Sequence, residues 1–583
     1  MDIVEEIKRI ISEKPDGFDF DRFCKKHGVM NALIAIEQAY FEFKTAPKND
    51  KNYSGAYENI IFGSHLVFKW LFQYCRDNCF DNCKKVFNDE IYIKFQDLFL
   101  IGTKFYSAND FMTLLNKRKI IAESGLSKEL ILRHKDKSMS SALAANALMH
   151  KGIGIDTYDY KRLPDEDYEK LVKQVSQNAI IIGNQIIYDL DMFASKLSGN
   201  VEFQDNLYSK AWHYPDNVHV GNFTFADLRK ITAALKVFGE FHQFVCLFQK
   251  NKYNSIVVKD FESWIVFINI LTKMESNKIR QIINLLIFDP VISLNMKKNI
   301  ENRLHVAYQP FFEINKFEIA LSNSLFNYIN FEDTFYSLLN VTDEQKIGKL
   351  KVSKVREQYW LDDLKPFLAG VNLKFGETFG IKIKPNFSNS KKKEGEIDLV
   401  IFDAKDKFML ICELKWLINP VLVVNTINAI DDLQVACKQI KDNFNLAISN
   451  EFKDIFKQDL INKNVLETPD EFEAIEKQLI VISKHYIGTG LSKCGKIPII
   501  NEDLLKWILG EPKNLSLRNL WEIAKNRSYF PKVNVHYKNK DMIIKIKDYT
   551  IKAEKLGRDI TGMKAWDPVE DIILPTDSAL NNN

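Results

Sequence analysis

The tightest constraint on this chain is the stretch from Gly395 to Trp416. Two short runs rich in Ile, Val, Leu and Phe, Gly395 to Phe402 and Phe408 to Trp416, flank the charged break Asp403-Ala404-Lys405-Asp406-Lys407. Apolar runs around a turn-forming break read as a β-hairpin. A turn centred on Lys405 and Asp406 pairs Asp398 with Glu413 and Glu396 with Lys415 across the antiparallel strands. Residues directly opposite share a face, their Cβ atoms about 5 Å apart, so Asp398, Glu413 and Lys415 come to one side. Val400, Phe402, Met409 and Ile411 lie on that side, and Ile397, Leu399, Ile401, Cys412 and Leu414 on the other. A strand pair apolar on both faces is covered on both.

Two acids facing each other at the edge of a buried surface repel, and a hard divalent cation with oxygen ligands offsets that repulsion. Lys415, two residues after Glu413, points the same way and can hold or stabilise whatever the metal activates. The pattern suggests metal-assisted attack on a phosphate. A lone Glu-x-Lys is ordinarily a solvated strand end with a surface ion pair. The preceding Gly-Glu-Ile-Asp, the apolar run Leu399 to Phe402 and the agreeing register favour a site here.

On these residues the stretch resembles the PD-(D/E)XK nuclease superfamily, the restriction-endonuclease-like fold, with Asp398 as its first acid and Glu413-Leu414-Lys415 as its (D/E)XK. Ile397 stands where the family's Pro precedes the Asp, a position that varies across the superfamily. The resemblance implies that Asp398, Glu413 and the Leu414 carbonyl ligate Mg2+, with Mn2+ able to substitute. It implies that Lys415 orients the attacking water and stabilises developing charge. It also implies a Glu on the first helix completing the metal shell, for which Glu357 is the best placed and Glu377 competes. Gln434 and Lys438 match, in place and type, residues that relatives carry on the helix after the hairpin. The implied reaction is phosphodiester hydrolysis, of DNA rather than RNA, and analogy alone extends it to prokaryotic defence against foreign DNA. An RNA-cleaving nuclease stays open as an alternative. So does a nuclease-fold module that binds nucleic acid or scaffolds proteins without catalysis.

The chain is expected to be multidomain: a mostly α region over 1–349, a nuclease-like α/β domain over 350–530, and a hairpin and tail over 531–583. Its 583 residues suffice for two to four domains, and a formal net charge of +3 confines any nucleic-acid surface to a local patch. No uninterrupted apolar run approaches the length needed to span a bilayer, the best stretch, Trp264 to Leu271, being too short, and Met1 to Glu6 carries acids where a signal peptide carries bases. A cytoplasmic protein with nucleic acid as partner and no membrane is expected, the helical region serving a homo-oligomer or a protein partner. Cys75, Cys79 and Cys83 form a helical stripe better suited to core packing than to metal.

Helical periodicity marks Asn31 to Phe43, His65 to Phe80, Ser127 to His134, Tyr168 to Phe193, Phe225 to Phe248 and Asn277 to Phe288, which reads as one or two all-α domains. His213 and His219 flank turn chemistry and match no zinc spacing. Phe311, Phe312 and the run Phe326 to Tyr336 read as core. After a charged boundary at Asp343 to Lys351, a helix from Ser353 to Leu368 leads into a strand Phe375 to Ile383, the hairpin, a helix Thr426 to Phe444, strands at Leu479 to Ile482 and Ile497 to Ile500, and a helix Asp503 to Leu509. That αβββαβ order matches the nuclease core, and the resemblance covers roughly residues 350 to 510. Gly490 to Lys496 imitates a phosphate-binding loop, but Ile497 replaces its Ser/Thr and a strand follows where a helix is required. The hairpin bearing Lys545, Lys547 and Lys552 either tracks a phosphate backbone or merely guards an edge.

Overall fold

A computed structural model describes residues 3–13, 28–45, 51–74, 87–124, 128–135, 165–182, 185–189, 191–211, 216–249, 256–288, 309–314, 317–327, 352–382, 394–417, 423–484, 493–511, 513–526 and 539–556, with a few single residues between. The chain is mixed α/β, helix-rich in its N-terminal part and built around a large sheet in its C-terminal part.

The N-terminal part runs α1 (Ile3–Ser12), α2 (Gly28–Thr45), α3 (Lys51–Tyr74), α4 (Asp89–Asn116), β1 (Ile120–Ser124), β2 (Glu129–His134), α5 (Asp165–Asn178), β3 (Ile180–Ile182), β4 (Gln185–Ile187), α6 (Asp191–Ala211), β5 (His219–Val220), β6 (Phe223–Thr224), α7 (Phe225–Phe248), β7 (Val257–Asp260), α8 (Phe261–Thr272), α9 (Ser276–Leu286), β8 (Phe311–Glu313), β9 (Glu318–Leu321) and α10 (Asn323–Asn327). Local chemistry sets several of these boundaries. Thr224 and Asp227 form a capping box at the start of α7, each side chain accepting the other's backbone N–H. Helices α3 and α4 pass close because Gly63 faces Gly102: a Cβ on Gly63 would stand 2.1 Å from the Phe99 carbonyl oxygen. Helix α7 is long and apolar enough to cross a membrane by composition, and 67% of its most apolar window is buried inside the fold.

Two segments expected as helices are not. Residues Tyr168 to Phe193 break after Asn178 into the hairpin β3/β4, because an Ile-rich β-branched run on either side of Gly183-Asn184 favours strands over a continued helix. Glu129 to His134 is a strand with Leu130 and Leu132 facing inward. Its partner is distant in sequence: β2 pairs in parallel with β17 (Tyr549–Leu556), which pairs with β16 (Asn539–Ile546), giving the sheet order β1-β2-β17-β16. The N-terminal part is therefore not all-α. The C-terminal hairpin buries Ile544, Ile546, Ile551 and Ala553 in the same core as α2, α3 and α4. Phe311, Phe312 and Phe326 are core residues. Cys75, Cys79, Cys83, His213, Asp343 to Lys351, Gly490 to Ser492 and Asn581 to Asn583 lie outside the described residues.

The C-terminal part follows as α11 (Val352–Gly370), β10 (Lys374–Lys382), β11 (Glu394–Asp403), β12 (Phe408–Lys415), α12 (Val423–Ala447), α13 (Lys453–Asn462), α14 (Glu471–Ala474), β13 (Glu476–Ser483), β14 (Lys493–Cys494), β15 (Ile497–Asn501), α15 (Glu502–Leu509) and α16 (Leu517–Asn526). Its six-stranded sheet has the order β10-β11-β12-β13-β15-β14. Strands β10, β11 and β12 are antiparallel neighbours, while β12, β13 and β15 are parallel. One face packs Leu399, Ile401, Leu410, Cys412, Leu414, Ile480 and Ile482 with Trp360 and Leu364 of α11, Leu505 of α15 and Leu520 of α16. The other packs Val400, Phe402, Met409, Ile411 and Val481 with Leu433, Ala436, Cys437 and Ile440 of α12. Lys493 to Asn501 is a hairpin turning at Gly495 (φ +64), so no helix follows the phosphate-loop imitation.

Candidate functional site

The turn between β11 and β12 is built by Asp403, whose Oδ1 accepts the backbone N–H groups of Lys405 and Asp406, and by Lys407 at φ +46. It sets the register Leu399↔Cys412 through Asp403↔Phe408, the register expected from the sequence. Val400, Phe402, Met409 and Ile411 occupy the α12 face and Leu399, Ile401, Cys412 and Leu414 the opposite one, also as expected.

The ladder stops at Leu399↔Cys412, one pair short of Asp398 and Glu413. Asp398 does not simply face Glu413. Its Oδ2 reaches across to accept the Leu414 backbone N–H at 2.7 Å. Ile397 joins the α12-side core and Leu399 the opposite core, so the strict alternation expected of β11 breaks at Asp398. The neighbouring strand is irregular at the same level. Thr378 of β10, flanked by the pairs Glu377↔Leu399 and Phe379↔Ile397, sits at φ +55, an outlier for a β-branched residue. Lys463 satisfies the displaced carbonyls, donating to Thr378 O at 2.7 Å and to Glu377 O, while its ammonium lies 4.4 Å from the centre of the Phe379 ring. Gly395, the second residue of β11, has no side chain where Asn443 of α12 occupies the space, its Oδ1 2.8 Å from where a Cβ would stand. Asn443 donates to Glu396 O at 2.6 Å, fixing the start of the strand against the helix.

Glu413 is 4% exposed, and its Oε1 lies 2.7 Å from Lys415 Nζ. The lysine is half-buried, at the carboxyl end of β12. There the parallel neighbour β13 ends at Ser483, paired with Lys415, and Lys484 donates its backbone N–H to Lys415 O at 3.0 Å. On the opposite face the buried Lys484 and Glu502 side chains join the more exposed Asp363 and Lys506 in an ion network beside Trp360 and Trp416. Burial pushes the Asp363 carboxyl up, but Lys506 and Lys484 outweigh it and hold it below the usual range. This network ties α11, β13 and α15 together beneath the strand ends.

Helix α12 covers the site's face. Gln434 and Lys438 are exposed on it, and Asp431 pairs with Lys119, between α4 and β1, at 3.0 Å. Asp432, on the flank of the buried stripe about 200° around the helix from Gln434, lies in the field of Lys415. Partial burial pushes its carboxyl up while the Lys415 ammonium pulls it down. Burial likewise pushes the thiols of Cys412, near Asp398, and Cys437, near Cys494 and Glu413, well up, which makes them inert packing groups. Glu377 shares a register position with Leu399 and pairs with Lys365 of α11 at 2.7 Å, on the side away from α12. Glu357 falls in α11, and its side chain is outside the described residues.

The structure thus brings Asp398, Glu413, Leu414 and Lys415 together and leaves Gln434 on the helix surface. Asp432, Lys463 and Lys484 were not singled out from sequence. Asp432 carried a signal, since it directly precedes Leu433 of the buried stripe. The two lysines carried none, because their partners are remote in sequence. Among the described residues no three His, Cys, Asp or Glu side chains converge into a metal-holding group. The donors at the hairpin end are two carboxylates and a backbone carbonyl, an all-oxygen set that suits a hard cation better than zinc or copper. Compared with protein-family models, curated proteins and solved structures, the chain matches none of them.

Proposed function

We propose that this chain is a metal-dependent nuclease of PD-(D/E)XK type, with a restriction-endonuclease-like C-terminal domain, acting on DNA in the cytoplasm. The observation that carries the reading is the junction of Asp398, Leu414, Glu413 and Lys415, joined by two 2.7 Å hydrogen bonds at the end of one hairpin. The element order from α11 to β15, with three antiparallel strands continued by parallel ones, supports the same reading. Asp398, Glu413 and the Leu414 carbonyl would hold Mg2+ or Mn2+, which supplies Lewis-acid polarisation of a phosphoryl oxygen and lowers the pKa of bound water. Lys415 places a positive charge where charge develops on the phosphate, and Glu413 holds it there before substrate arrives. Burial of Glu413 excludes water from one side of the pair and strengthens its field on the scissile group.

The test is cleavage of double-stranded DNA, single-stranded DNA and RNA by the purified full chain with Mg2+ or Mn2+, stopped by EDTA. Lys415→Ala should lower the rate by about 10²-fold or more, the size of losing one preorganised electrostatic group. Melting with increasing Mn2+ should raise the midpoint of the wild type and do so far less in Asp398→Asn or Glu413→Gln, because only the folded state holds the site together. Metal stabilisation that survives unchanged in both variants, with no cleavage of any substrate, would return the hairpin to a binding or scaffolding role.

A further inference from the structure

We propose that Lys453, Lys457 and Lys477, gathered where α13 and α14 meet the start of β13, form a site for a phosphate group whose place the Glu473 carboxylate holds in the free chain. Lys453 Nζ, at 2.8 Å, and Lys457 Nζ, at 2.7 Å, reach the same oxygen, Glu473 Oε1, so the two ammoniums stand within two hydrogen-bond lengths of each other. Lys477 Nζ is 4.1 Å and Lys457 Nζ 5.6 Å from the centre of the Phe472 ring, itself a core residue. Lys477 donates to the neutral Ile475 carbonyl at 2.8 Å. Three cations thus gather around one carboxylate. Glu471 and Glu476 spend their charge elsewhere: Glu471 Oε2 accepts the backbone N–H groups of Glu467 and Thr468, and Glu476 pairs with Arg518.

The cluster is preorganised. Lys453 and Lys457 are four residues apart on α13 and so share a face, and Phe456 between them anchors the helix beside Phe472, ring centres 5.9 Å apart. The Lys457 side chain is 14% exposed and that of Glu473 56%, so the acid can swing into water while the cations stay. Burial pushes the Lys477 ammonium down and Glu473 lifts it, but Lys453 and Lys457 push it down further, the sign of a local excess of positive charge. A phosphate group presents several strongly accepting oxygens on one tetrahedron, which three point charges can share better than they share a single carboxylate oxygen. By register Lys477 stands beside Met409 and Val481 beside Glu413, four residues along β13. That is about 13 Å, or about four nucleotides of one strand. The phosphate is either that of a nucleic-acid backbone, in which case the inference rests on the nuclease reading, or a free phosphate, in which case it does not.

The first measurement is calorimetric titration of the full chain with inorganic pyrophosphate in EDTA. Wild type should bind it. Lys457→Gln and Lys477→Gln should each weaken binding about tenfold, the size of losing a hydrogen bond to a charged group, and Glu473→Gln should tighten it about two- to fivefold by removing an exposed competing charge. A plain surface ion pair gives no binding, and a Glu473 that merely positions the lysines gives weaker binding in Glu473→Gln; either result overturns the inference. Should a lysine variant fail to fold, the sign of the change in Glu473→Gln still decides, since that side chain is exposed. The second measurement is binding of a fluorescent DNA duplex in EDTA over a range of salt. A salt slope reduced by about one unit in Lys477→Gln, with tighter binding in Glu473→Gln, identifies the phosphate as the backbone's. DNA binding unchanged in both variants, beside altered pyrophosphate binding, identifies a free phosphate. If wild type cuts no nucleic acid, the nuclease reading falls and the pyrophosphate titration still decides whether the site exists.

Discussion

Two buried glutamates of this molecule are met by opposite kinds of partner. Glu37 in α2 is 1% exposed and Glu413 in β12 is 4% exposed. Glu37 Oε1 accepts from the Ser322 hydroxyl at 2.6 Å, the Ser324 hydroxyl at 2.7 Å and the Ser324 backbone N–H at 2.9 Å. All these donors are neutral, and burial pushes its carboxyl up to about 7 despite them. Glu413 is answered by a full positive charge, the Lys415 ammonium. Glu37 knits α2 to the start of α10, in a core where nothing can reach it. Glu413 stands where two strands end beside an acid that has left its ladder, which is where a ligand can arrive. An acid met by hydroxyls glues elements together, whereas an acid met by a lysine at a strand end stores an electrostatic arrangement that a substrate can use.

The largest expected effect breaks this contrast outright. Glu413→Gln should reduce cleavage by about 10³-fold or more, because it removes a ligand and the partner of Lys415 together, while Glu37→Gln should leave the rate within about twofold, no catalytic group being touched. Equal losses in the two variants, measured at saturating Mg2+, would show that the difference between these acids is not functional.

The next effect concerns pH. With a folded value of about 7 against an ordinary 4.5, Glu37 stays protonated in the folded chain over a range where the unfolded chain ionises. Its contribution to stability is fully present below about pH 4.5, is lost as pH rises towards about 7 and is constant above that, a span worth up to about 3 kcal/mol. Nearby Cys246 keeps its thiol protonated, raised by burial and by Glu37 itself. Glu37→Gln should flatten this slope in urea unfolding measured at intervals across that range, and should leave the variant more stable than wild type at pH 8. A slope that persists in the variant assigns it elsewhere.

A smaller effect tests the broken ladder. Lys463→Met keeps a stem over Phe379 but removes the donor to the Glu377 and Thr378 carbonyls, which should cost about 1 to 3 kcal/mol. If Asp398 owes its reach to Leu414 to this break in β10, cleavage should fall too, by less than in Glu413→Gln. Unaltered stability and rate would mean that Thr378 holds its positive φ without help.

What was legible in the sequence was whatever its neighbours determine. Asp403 and Lys407 make the turn, the turn makes the register, and the register carries Asp398, Glu413 and Lys415 to one place. The stripe from Ile427 to Phe444 announced α12. Illegible was whatever depends on partners far along the chain. Leu130 and Leu132 alternate over too few residues to announce a strand, and β17, their partner, lies at the other end of the molecule. The break at Asp398 faces Thr378 and its partner Lys463 from other elements, and the network beneath the strand ends needs Asp363, Lys484, Glu502 and Lys506 from three separate elements. Periodicity cannot report contacts of that kind, since each residue alone looks like ordinary surface charge.

The smallest effect lies in the C-terminal hairpin, whose lysines left open a choice between holding nucleic acid and guarding an edge. Lys547 lies 3.2 Å from Asp16 and 3.5 Å from Glu13, and Lys552 pairs with Glu129. Both lysines spend their charge on acids of the N-terminal part. On the outer face of the four-stranded sheet, Arg133, Lys545 and Lys552 are interspersed with Glu123, Glu129 and Asp541, so no basic track runs across it. The pairs are largely exposed and therefore weak, and the hairpin is held by the burial of Ile544, Ile546 and Ile551 and by its pairing with β2. Lys547→Ala should thus change stability by no more than about 0.5 kcal/mol. Because Lys547 is already neutralised within the fold, the variant should also bind DNA with the same dependence on salt as wild type. A salt slope reduced by about one unit would mean instead that Lys547 leaves its acids for a phosphate on binding.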